Sequence, residues 1–407
     1  MLKTQENHNN NVINHSILKL TQINHIMIDT VLRNLHDYRH RTLHFYFTVY
    51  RVMNNTIWFM EGLSSQRDII QSVKDFAKQQ RQEIFVLASH RHTRNEILSL
   101  ADGAFYEPLE ETLRLKFIAD VVKQYQVSVI HTGRNSAWFE LHRQEIESLG
   151  VKLTTGATQL EQLQLADNKV AFAQAMEQCG LPAVPSIYIE SINELEAHIK
   201  EPPFGETPLC IKPVKGIYGM GFWRFENQVS PMTLFNHPEN RQVNPQQYLD
   251  ALKAVECFEP LVLMPYLPGP EYSVDMVVEQ GNVIAAVARR KEGAIQHLEI
   301  SGEAYELGKA CATAMKADGL VNVQTRNNHQ GRPLLLEINM RPSGGIGYTQ
   351  HCGINLAGIF ALRQLGLMSI EEAQAQNNHF TPTKIRSITD SIVFNSTLTN
   401  LISTDNN

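Results

Sequence analysis

Three polar residues at two-residue steps, Glu337, Asn339 and Arg341, first suggest what chemistry this chain can do. They lie in the aliphatic run Leu334–Arg341, which predicts a strand. A carboxylate and an amide oxygen on one face can hold Mg²⁺ while a guanidinium reaches a phosphate. Because strand side chains alternate, the three are expected on one face with Leu335, opposite Leu334, Leu336, Ile338 and Met340.

A fourth polar residue, Gln324, lies in the preceding predicted strand, Val321–Arg326. Pairing Gln324 with Glu337 centres the connection between Gln330 and Gly331, inside the turn-like segment 328–333. The two side chains are then neighbours in a hairpin. On these residues alone, an amphipathic hairpin with incidental polar residues is an equally good interpretation.

A second pattern is a predicted strand that ends near Lys212 and precedes Gly216, Gly219 and Gly221. Glycines let backbone N–H groups wrap phosphate oxygens, and the lysine adds a positive charge. The segment lacks the GK[ST] ending and the helix of a Walker A loop. A flexible hairpin with a solvent-exposed lysine is the alternative for this segment by itself.

A third pattern is the segment 261–275, which predicts two strands joined by a link. The prolines and Gly269 of the link are expected to keep the backbone groups around Met264–Leu267 out of the strand ladder. Such groups can bind an adenine edge, and Glu271 can accept hydrogen bonds from ribose hydroxyls. A plain crossover between strands is the alternative here.

Taken together, the order and spacing of these patterns resemble the ATP-grasp superfamily over roughly residues 156–366. The matched positions are Lys169 at the start of a predicted helix, Lys212 with the glycine loop, the 264–267 link with Glu271, Asn-Val-Gln at 322–324 and Glu-Ile-Asn-Met-Arg at 337–341. The last two motifs look most like the carbamoyl-phosphate-synthetase branch.

The resemblance implies a site for ATP with Mg²⁺ or Mn²⁺. It places the metal on Gln324, Glu337 and Asn339, and the transferred phosphoryl group on Arg341. The nucleotide-binding residues that it implies, from the phosphates to the adenine and ribose, are Lys169, Lys212, Lys215, Gly216, Gly219, Gly221, Met264, Pro265, Tyr266, Leu267 and Glu271.

Three residues depart from the family pattern. Met264 stands where many relatives have an acidic residue, and Lys215 adds a charge to the loop. Gln324 is neutral, so Glu337 alone supplies a formal negative charge among the expected metal ligands. Metal binding would then depend on ATP oxygens, which suits Mg²⁺.

Three segments near the ends of predicted strands could hold the other substrates. In the basic run 289–291, Arg290 is the candidate for binding a carboxylate or an acyl phosphate, with a solvated strand end as the alternative. Ser343-Gly344-Gly345 can cup an anion or simply form a turn. Arg134 follows a buried-looking strand, where open α/β sheets bind ligands, and a loop salt bridge is an equally good reading.

The rest of the chain predicts the architecture. Residues 53–155 alternate β-rich runs with amphipathic helices, which predicts a parallel sheet, and no GxGxxG follows the first strand. From 156 onward, hairpin strands with helices predict an α+β unit. We therefore expect an α/β plus α+β chain: a Rossmann-like pre-ATP-grasp domain at 53–155, then an ATP-grasp domain at 156–375 whose lid (156–260) and large subdomain (261–375) clasp ATP.

The two ends are expected to differ from this core. Residues 1–52, rich in Asn and His and without glycine or proline, predict a poorly ordered extension. Residues 376–407 predict a weakly patterned tail with one strand at Lys384–Phe394.

Composition excludes several classes of protein. Lys and Arg number 36 against 42 Asp and Glu, a net charge of −6 that argues against a general nucleic-acid binder. No apolar run approaches the roughly 18 to 20 residues of a membrane span. The five cysteines lack zinc-ligand spacing and predict reduced, buried thiols in a cytoplasmic protein.

The expected function is an ATP-dependent ligase that joins a carboxylate to an amine through an acyl phosphate. The alternatives are a carboxylate or carbamate kinase, which stops at the acyl phosphate or passes it on, and a nucleotide-binding regulatory or scaffold protein without turnover. The partners implied are small-molecule carboxylate and amine substrates, without nucleic acid or membrane, and a homodimer is an open alternative to a monomer.

Overall fold

The computed structural model describes residues 55–402, apart from 63–64, 217–218, 390 and 395–396. The extension expected at residues 1–52 lies outside the described residues. Three sheets carry the fold, and the expected α/β plus α+β architecture is confirmed. The domain boundaries at 155, 260 and 375 stay predictions, because residues 55–402 belong to one unit by their contacts.

The first sheet is parallel and five-stranded. Its region comprises β1 (Thr56–Phe59), α1 (Gln66–Gln79), β2 (Phe85–His90), α2 (Asn95–Leu98), β3 (Gly103–Tyr106), a 3-10 turn (Glu111–Leu113), α3 (Arg114–Tyr125), β4 (Val127–His131), α4 (Ser136–Leu141), α5 (Arg143–Glu147) and β5 (Lys152–Thr154). The strand order is β3-β2-β1-β4-β5. Helix α1 buries Ile69, Ile70, Val73 and Phe76, the apolar face that its spacing predicts.

The second sheet is mostly antiparallel. Its region comprises α6 (Leu160–Asp167), α7 (Lys169–Gln178), β6 (Ile187–Ile189), α8 (Ile192–Lys200), β7 (Leu209–Pro213), β8 (Trp223–Phe225), α9 (Thr233–Asn236), a 3-10 turn (Pro238–Asn240), β9 (Gln242–Val243), α10 (Pro245–Lys253) and β10 (Leu261–Pro265). The strand order is β6-β10-β7-β8-β9, and only the β8–β9 pair is parallel among the described strands of this sheet.

The third sheet has six antiparallel strands in the described residues. Its region comprises β11 (Glu271–Glu279), β12 (Asn282–Glu292), β13 (Ile295–Glu299), α11 (Glu303–Ala314), β14 (Gly319–Asn327), β15 (Pro333–Asn339), a 3-10 helix (Ile346–Cys352), α12 (Leu356–Gln364), α13 (Ile370–Ala375), a 3-10 turn (Gln376–His379) and β16 (Thr383–Arg386). The order is β15-β14-β11-β12-β13-β16. The strand predicted at Lys384–Phe394 was too long: it ends at Arg386, and Ile388 and Val393 beyond it are about 85% exposed.

The alternation predicted for Leu334–Arg341 is wrong for the three leucines, because Leu334 and Leu336 lie on the cavity side and Leu335 on the core side. Gln324 pairs with Glu337 but Thr325 pairs with Leu335, so a bulge leaves Leu336 as the extra residue. Leu335 is therefore fully buried in the core on the far face with Ile338. Leu336 instead lines the same cavity as Glu337.

Two composition-based expectations can be compared with the structure. Cys210, Cys311 and Cys352 are buried free thiols, as expected, but Cys179 and Cys257 are exposed, so the expectation of burial was wrong for these two. None of the helices in the described residues has the length and apolar character that a bilayer crossing requires.

A buried imidazole at the end of β4 predicts a pH-dependent stability. His131 is 4% exposed, its Nδ1 lies 3.1 Å from Thr154 Oγ1, and burial lowers its pKa from 6.5 to about 4. Between pH 6.5 and about 4 the unfolded chain therefore binds a proton that the folded chain does not. The folded state should lose about 3 kcal/mol as the pH falls through this window.

Urea denaturation from pH 7 to pH 4.5 measures this loss. His131→Gln cannot take up the proton, so its stability should fall less steeply with acid than that of the unmodified chain. His329→Gln, at an exposed position, is the control and should keep the original slope. If the free energy of unfolding falls equally steeply with pH in all three proteins, the assignment to His131 is contradicted.

Candidate active site

The site is built on one row of residues that crosses four strands of the third sheet. Arg289 on β12 pairs with Ser273 on β11, Ser273 pairs with Gln324 on β14, and Gln324 pairs with Glu337 on β15. Directly paired residues in an antiparallel sheet lie on the same face. The Gln324–Glu337 register predicted from the sequence is therefore the observed one, and the row extends it to Arg289.

Glu337, Asn339 and Arg341 lie at and just after the end of β15. Asn339 Nδ2 donates to Glu337 Oε1 at 3.4 Å, and Arg341 Nη1 donates to Asn339 Oδ1. Lys212 Nζ reaches across from β7 to within 3.7 Å of Glu337 Oε2. These contacts bring the lysine of the second sheet to the carboxylate of the third.

Two cavities meet along this row. A cavity of about 520 Å³ is bordered by Ser273, Arg289, Gln324, Glu337, Asn339, Arg341 and the loop Ser343–Gly345, among others. A cavity of about 310 Å³ is bordered by Lys212, the segment Met264–Leu267 and Arg326, among others. Gly219, Glu271, Gln324 and Glu337 border both. We name the first, larger cavity the acceptor cavity and the second the hinge cavity.

Among the lysine and glycine residues expected around the phosphates, Lys212 and Gly219 border these cavities, whereas Lys169, Gly216 and Gly221 do not. Asn168 caps helix α7, and Lys169, its first residue, donates to the carbonyls of Val214 at 3.0 Å and Gly216 at 3.3 Å. Burial lowers the pKa of the Lys169 ammonium, and the charge of Lys212 lowers it further. Lys169 is 7% exposed, and its two hydrogen bonds to backbone carbonyls hold the start of the glycine loop.

The glycine loop itself contributes unevenly. Gly219 borders both cavities with φ +64°, a conformation that favours glycine. A Cβ on Gly221, also at positive φ, would lie 2.6 Å from the ring of Pro213, so close packing against β7 requires a glycine there. Gly216 and Lys215 are exposed, and the structure does not bring Lys215 to the wall of either cavity.

The link after β10 begins later than expected. Met264 pairs with Cys210 and Pro265 with Leu209, so the prediction that both lie outside the ladder was wrong. Tyr266 N–H donates to Pro208 O at 2.6 Å, which leaves Leu267 as the residue of the predicted link that lies past the ladder. All four residues of Met264–Leu267 border the hinge cavity, as the nucleotide assignment requires.

Glu271 has partners in the structure that the sequence did not indicate. Lys291 Nζ donates to Glu271 Oε1, and Arg326 Nη1 lies 3.9 Å from Glu271 Oε2. The carboxylate stands where the hinge and acceptor cavities join. It can still accept hydrogen bonds from a ligand, because two carboxylate oxygens offer about four acceptor sites.

The structure does not bring Arg290 to the site. Arg290 Nε donates to Glu299 Oε1 at 2.9 Å on the other face of the sheet, while Arg289 borders the acceptor cavity. The cause is a bulge in β12: Val278 pairs with Val283 but Val277 pairs with Ala285. One extra residue turns every following side chain of β12 to the opposite face.

Arg289 is the functional candidate that sequence reasoning missed. It is 3% exposed and donates to Asp275 at 2.7 Å, to Ser273 at 2.9 Å and to Ser343 at 2.8 Å. A Cβ on Gly345 would lie 2.5 Å from Arg289 Nη1, so the loop after Arg341 packs directly on the guanidinium. The triplet Arg-Arg-Lys at 289–291 was the available signal, but it does not show which arginine faces inward.

The donor set at the end of β15 fits a hard divalent cation. Glu337, Asn339 and Gln324 offer one carboxylate and two amide oxygens on one cavity wall, the ligand type that Mg²⁺ and Mn²⁺ take. Within the described residues, no three His, Cys, Asp or Glu side chains gather as a preformed metal site. A cation held here would take its remaining ligands from a bound phosphate chain or from water.

Comparison with known proteins adds to this geometry. A family model described as an ATP-grasp in the biosynthetic pathway with Ter operon matches residues 257–391. The carbamoyl phosphate synthase large chain of Pyrococcus furiosus is 24% identical over 241 residues, which cover 53% of this chain and 20% of that protein. The chain spans only a fifth to a quarter of the length of the curated relatives it matches.

Two solved structures share the fold. The biotin carboxylase domain of the Hydrogenobacter thermophilus 2-oxoglutarate carboxylase, a dimer in complex with MgADP, ADP and bicarbonate, gives a TM-score of 0.54 at 18% identity, over 77% of this chain and 69% of that one. The L-amino acid ligase of Bacillus licheniformis gives 0.53 at 14% identity, over 78% and 76%. Residues 257–391 thus match an ATP-grasp family model, and the chain shares the ATP-grasp fold of these solved structures.

Proposed function

We propose that this protein is an ATP-dependent ligase that activates a carboxylate as an acyl phosphate and joins it to an amine. The observation that carries the proposal is the wall shared by the two cavities, where Lys212 approaches Glu337 and Gln324 pairs with Glu337. A nucleotide in the hinge cavity would direct its phosphates across this wall into the acceptor cavity. The domain division at 155, 260 and 375 belongs to the same proposal.

The hinge cavity is the proposed nucleotide site. The segment Met264–Leu267 would border the adenine and Glu271 the ribose. Lys212, Lys169 and the glycine loop with Gly216, Gly219 and Gly221 would hold the phosphates, and Lys215 would add long-range positive charge. Mg²⁺ or Mn²⁺, held by Gln324, Glu337 and Asn339, would neutralise phosphate charge.

The acceptor cavity is the proposed carboxylate site. Arg341 borders it beside Ser343–Gly345, and Arg289 lies under that loop. The planar fork of Arg341 matches carboxylate and phosphoryl oxygens. Arg289 already donates to Asp275, Gln296, Ser273 and Ser343, and would act chiefly by holding the loop and adding positive charge. Arg290 has no part in this arrangement, because its guanidinium is paired with Glu299 on the other face.

Two transfers follow from these positions. In the first, an oxygen of the substrate carboxylate forms a bond to the γ-phosphorus of ATP, the bond from that phosphorus to the β–γ bridging oxygen breaks, and ADP leaves. In the second, the amine nitrogen bonds to the acyl carbon, the carbon–oxygen bond to phosphate breaks, and the amine loses a proton. The chain contributes positioning, charge neutralisation and exclusion of water.

The test is ADP release by the full chain with MgATP, a pool of carboxylic acids and a pool of amines, followed by mass spectrometry of condensed products. We expect ADP release that requires both pools. ADP release with the carboxylate pool alone, together with a hydroxamate after trapping with hydroxylamine, would favour the kinase. ATP binding without ADP release in any mixture would favour the regulatory protein.

A further inference from the structure

A third cavity, of about 300 Å³, is bordered by Arg341 and, among the described residues, shares no bordering residue with the hinge cavity. Asn339 and Arg341 border both this cavity and the acceptor cavity. Its far wall is the loop Gly133–Ser136, which follows β4 at the carboxyl edge of the parallel sheet. The residues proposed to hold the metal and the transferred phosphoryl group, Asn339 and Arg341, can therefore be reached from two cavities. The third cavity is one that the proposed nucleotide does not occupy.

The position of Arg134 on this wall is fixed by close packing. A Cβ on Gly133 would lie 2.4 Å from the Cα of Gly62, so the loop approaches the end of β1 as closely as glycine allows. Arg134 Nη1 donates to Glu61 Oε1 at 3.3 Å, and Glu61 is 3% exposed. The guanidinium is held at one end, and the Arg134 side chain remains 43% exposed.

The carboxylate that holds Arg134 is ionised. Burial raises the pKa of Glu61, but the hydrogen bond from Arg91 and the charges of His90, Arg91 and Arg134 together bring it below its ordinary value. The Glu61 N–H donates to Glu107 Oε1 at 2.6 Å, so the loop after β1 is tied to the end of β3. Because a guanidinium has five N–H donors, Arg134 keeps donors for a ligand.

The cavity is also bordered by a residue of the complementary charge. Asp167, the last residue of α6, borders the cavity and lies within electrostatic reach of Arg341 and Lys169. The cavity is therefore bordered by one carboxylate, that of Asp167, by the guanidiniums of Arg134 and Arg341, and by Asn135 and Ser136. A small zwitterion can use both the Asp167 carboxylate and the N–H donors of Arg134 that Glu61 leaves free, whereas a simple amine can use only the carboxylate.

We propose that the third cavity binds the amine substrate and that this amine is a free amino acid whose own carboxylate is held by Arg134. The proposal rests on the ligase function proposed above and names the class of its second substrate. The amino group would lie toward Asp167 and Arg341, next to the acceptor cavity where the acyl phosphate forms.

The experiment compares amino acids with their amides in the ADP-release assay of the full chain. We expect L-amino acids to support ADP release and product formation at least about tenfold better than the matching amino acid amides, ethanolamine or ammonium chloride. Arg134→Ala should raise the KM for the amino acid at least about tenfold and leave the KM for ATP within about twofold. Arg134→Lys, which keeps the charge, should recover part of the loss.

Two controls separate this proposal from the ligase function itself. Arg332→Ala, at an exposed arginine on the β14–β15 turn, should leave both KM values unchanged. Calorimetric titration of the same amino acid into the protein with Mg²⁺ and a non-hydrolysable ATP analogue should give binding that Arg134→Ala weakens. Equal use of amino acids and their amides, with Arg134→Ala unaffected, would overturn this proposal and leave the ligase standing. No ADP release with any amine would overturn the ligase first.

Discussion

Replacing Glu337 with glutamine is expected to lower kcat for ATP-dependent condensation by more than about a hundredfold. Glu337 supplies the one negative charge among the three expected metal ligands, and its Oε2 lies 3.7 Å from Lys212 Nζ. Glutamine keeps the shape of the side chain and can still pair with Asn339, but it removes that charge. ADP release at saturating ATP, measured over a range of Mg²⁺ concentrations, is the readout.

The fold should survive this substitution. Glu337 is half-buried and its ion pair with Lys212 is loose, so the free energy of unfolding should change by less than about 1 kcal/mol. Glu306→Gln is the matched control, because it removes another lysine-paired carboxylate, from α11 on the opposite face of the sheet. A Glu337→Gln protein with unchanged kcat and unchanged Mg²⁺-dependent ATP binding would remove the metal assignment.

The part of the site that could be predicted from the sequence is the part that depends on one hairpin. The pairing of Gln324 with Glu337 follows from the position of a single turn, and the turn residues 328–331 are recognisable by type. Lys169 could be placed at a helix start because Asn168 is a strong capping residue. In both cases the information is local in the sequence.

The part that could not be predicted depends on irregularities without a residue signature. A regular hairpin with Gln280 and Gly281 at its turn would pair Arg290 with Glu271 and bring Arg290 to the cavity. The extra residue, Ile284, reverses this and brings Arg289 there. Isoleucine carries no sign of a bulge, unlike the glycine that marks many bulges.

The charged network behind Arg134 was hidden for a different reason. Glu61, Arg91 and Glu107 follow three separate strands of the parallel sheet and meet only because β1 lies between β2 and β4 and β2 pairs with β3. The order of strands in such a sheet is decided by packing of whole elements. A pattern of strands and helices predicts the sheet and not this order.

Gly156→Ala is expected to destabilise the folded chain by more than about 3 kcal/mol and to reduce activity at the same time. Gly156 has φ +97°, and a Cβ there would lie 1.8 Å from the carbonyl oxygen of Met340. That oxygen belongs to the backbone between Asn339 and Arg341, which cannot move aside without moving the site. Gly156 also pairs with Asp318, whose N–H donates to its carbonyl at 2.9 Å.

Gly150→Ala separates backbone strain from the steric clash. Gly150 has φ +84°, and nothing lies within 4 Å of a Cβ built on it, so alanine there should cost only about 1 kcal/mol of left-handed strain. Urea denaturation of both variants measures the difference between their free energies of unfolding, provided that this free energy falls equally steeply with urea concentration in both. If the two alanines cost the same, close packing of residue 156 against Met340 is not what fixes the end of β15. If Gly156→Ala loses stability but keeps the KM and kcat of the unmodified chain, the contact stabilises the fold without positioning Asn339 and Arg341.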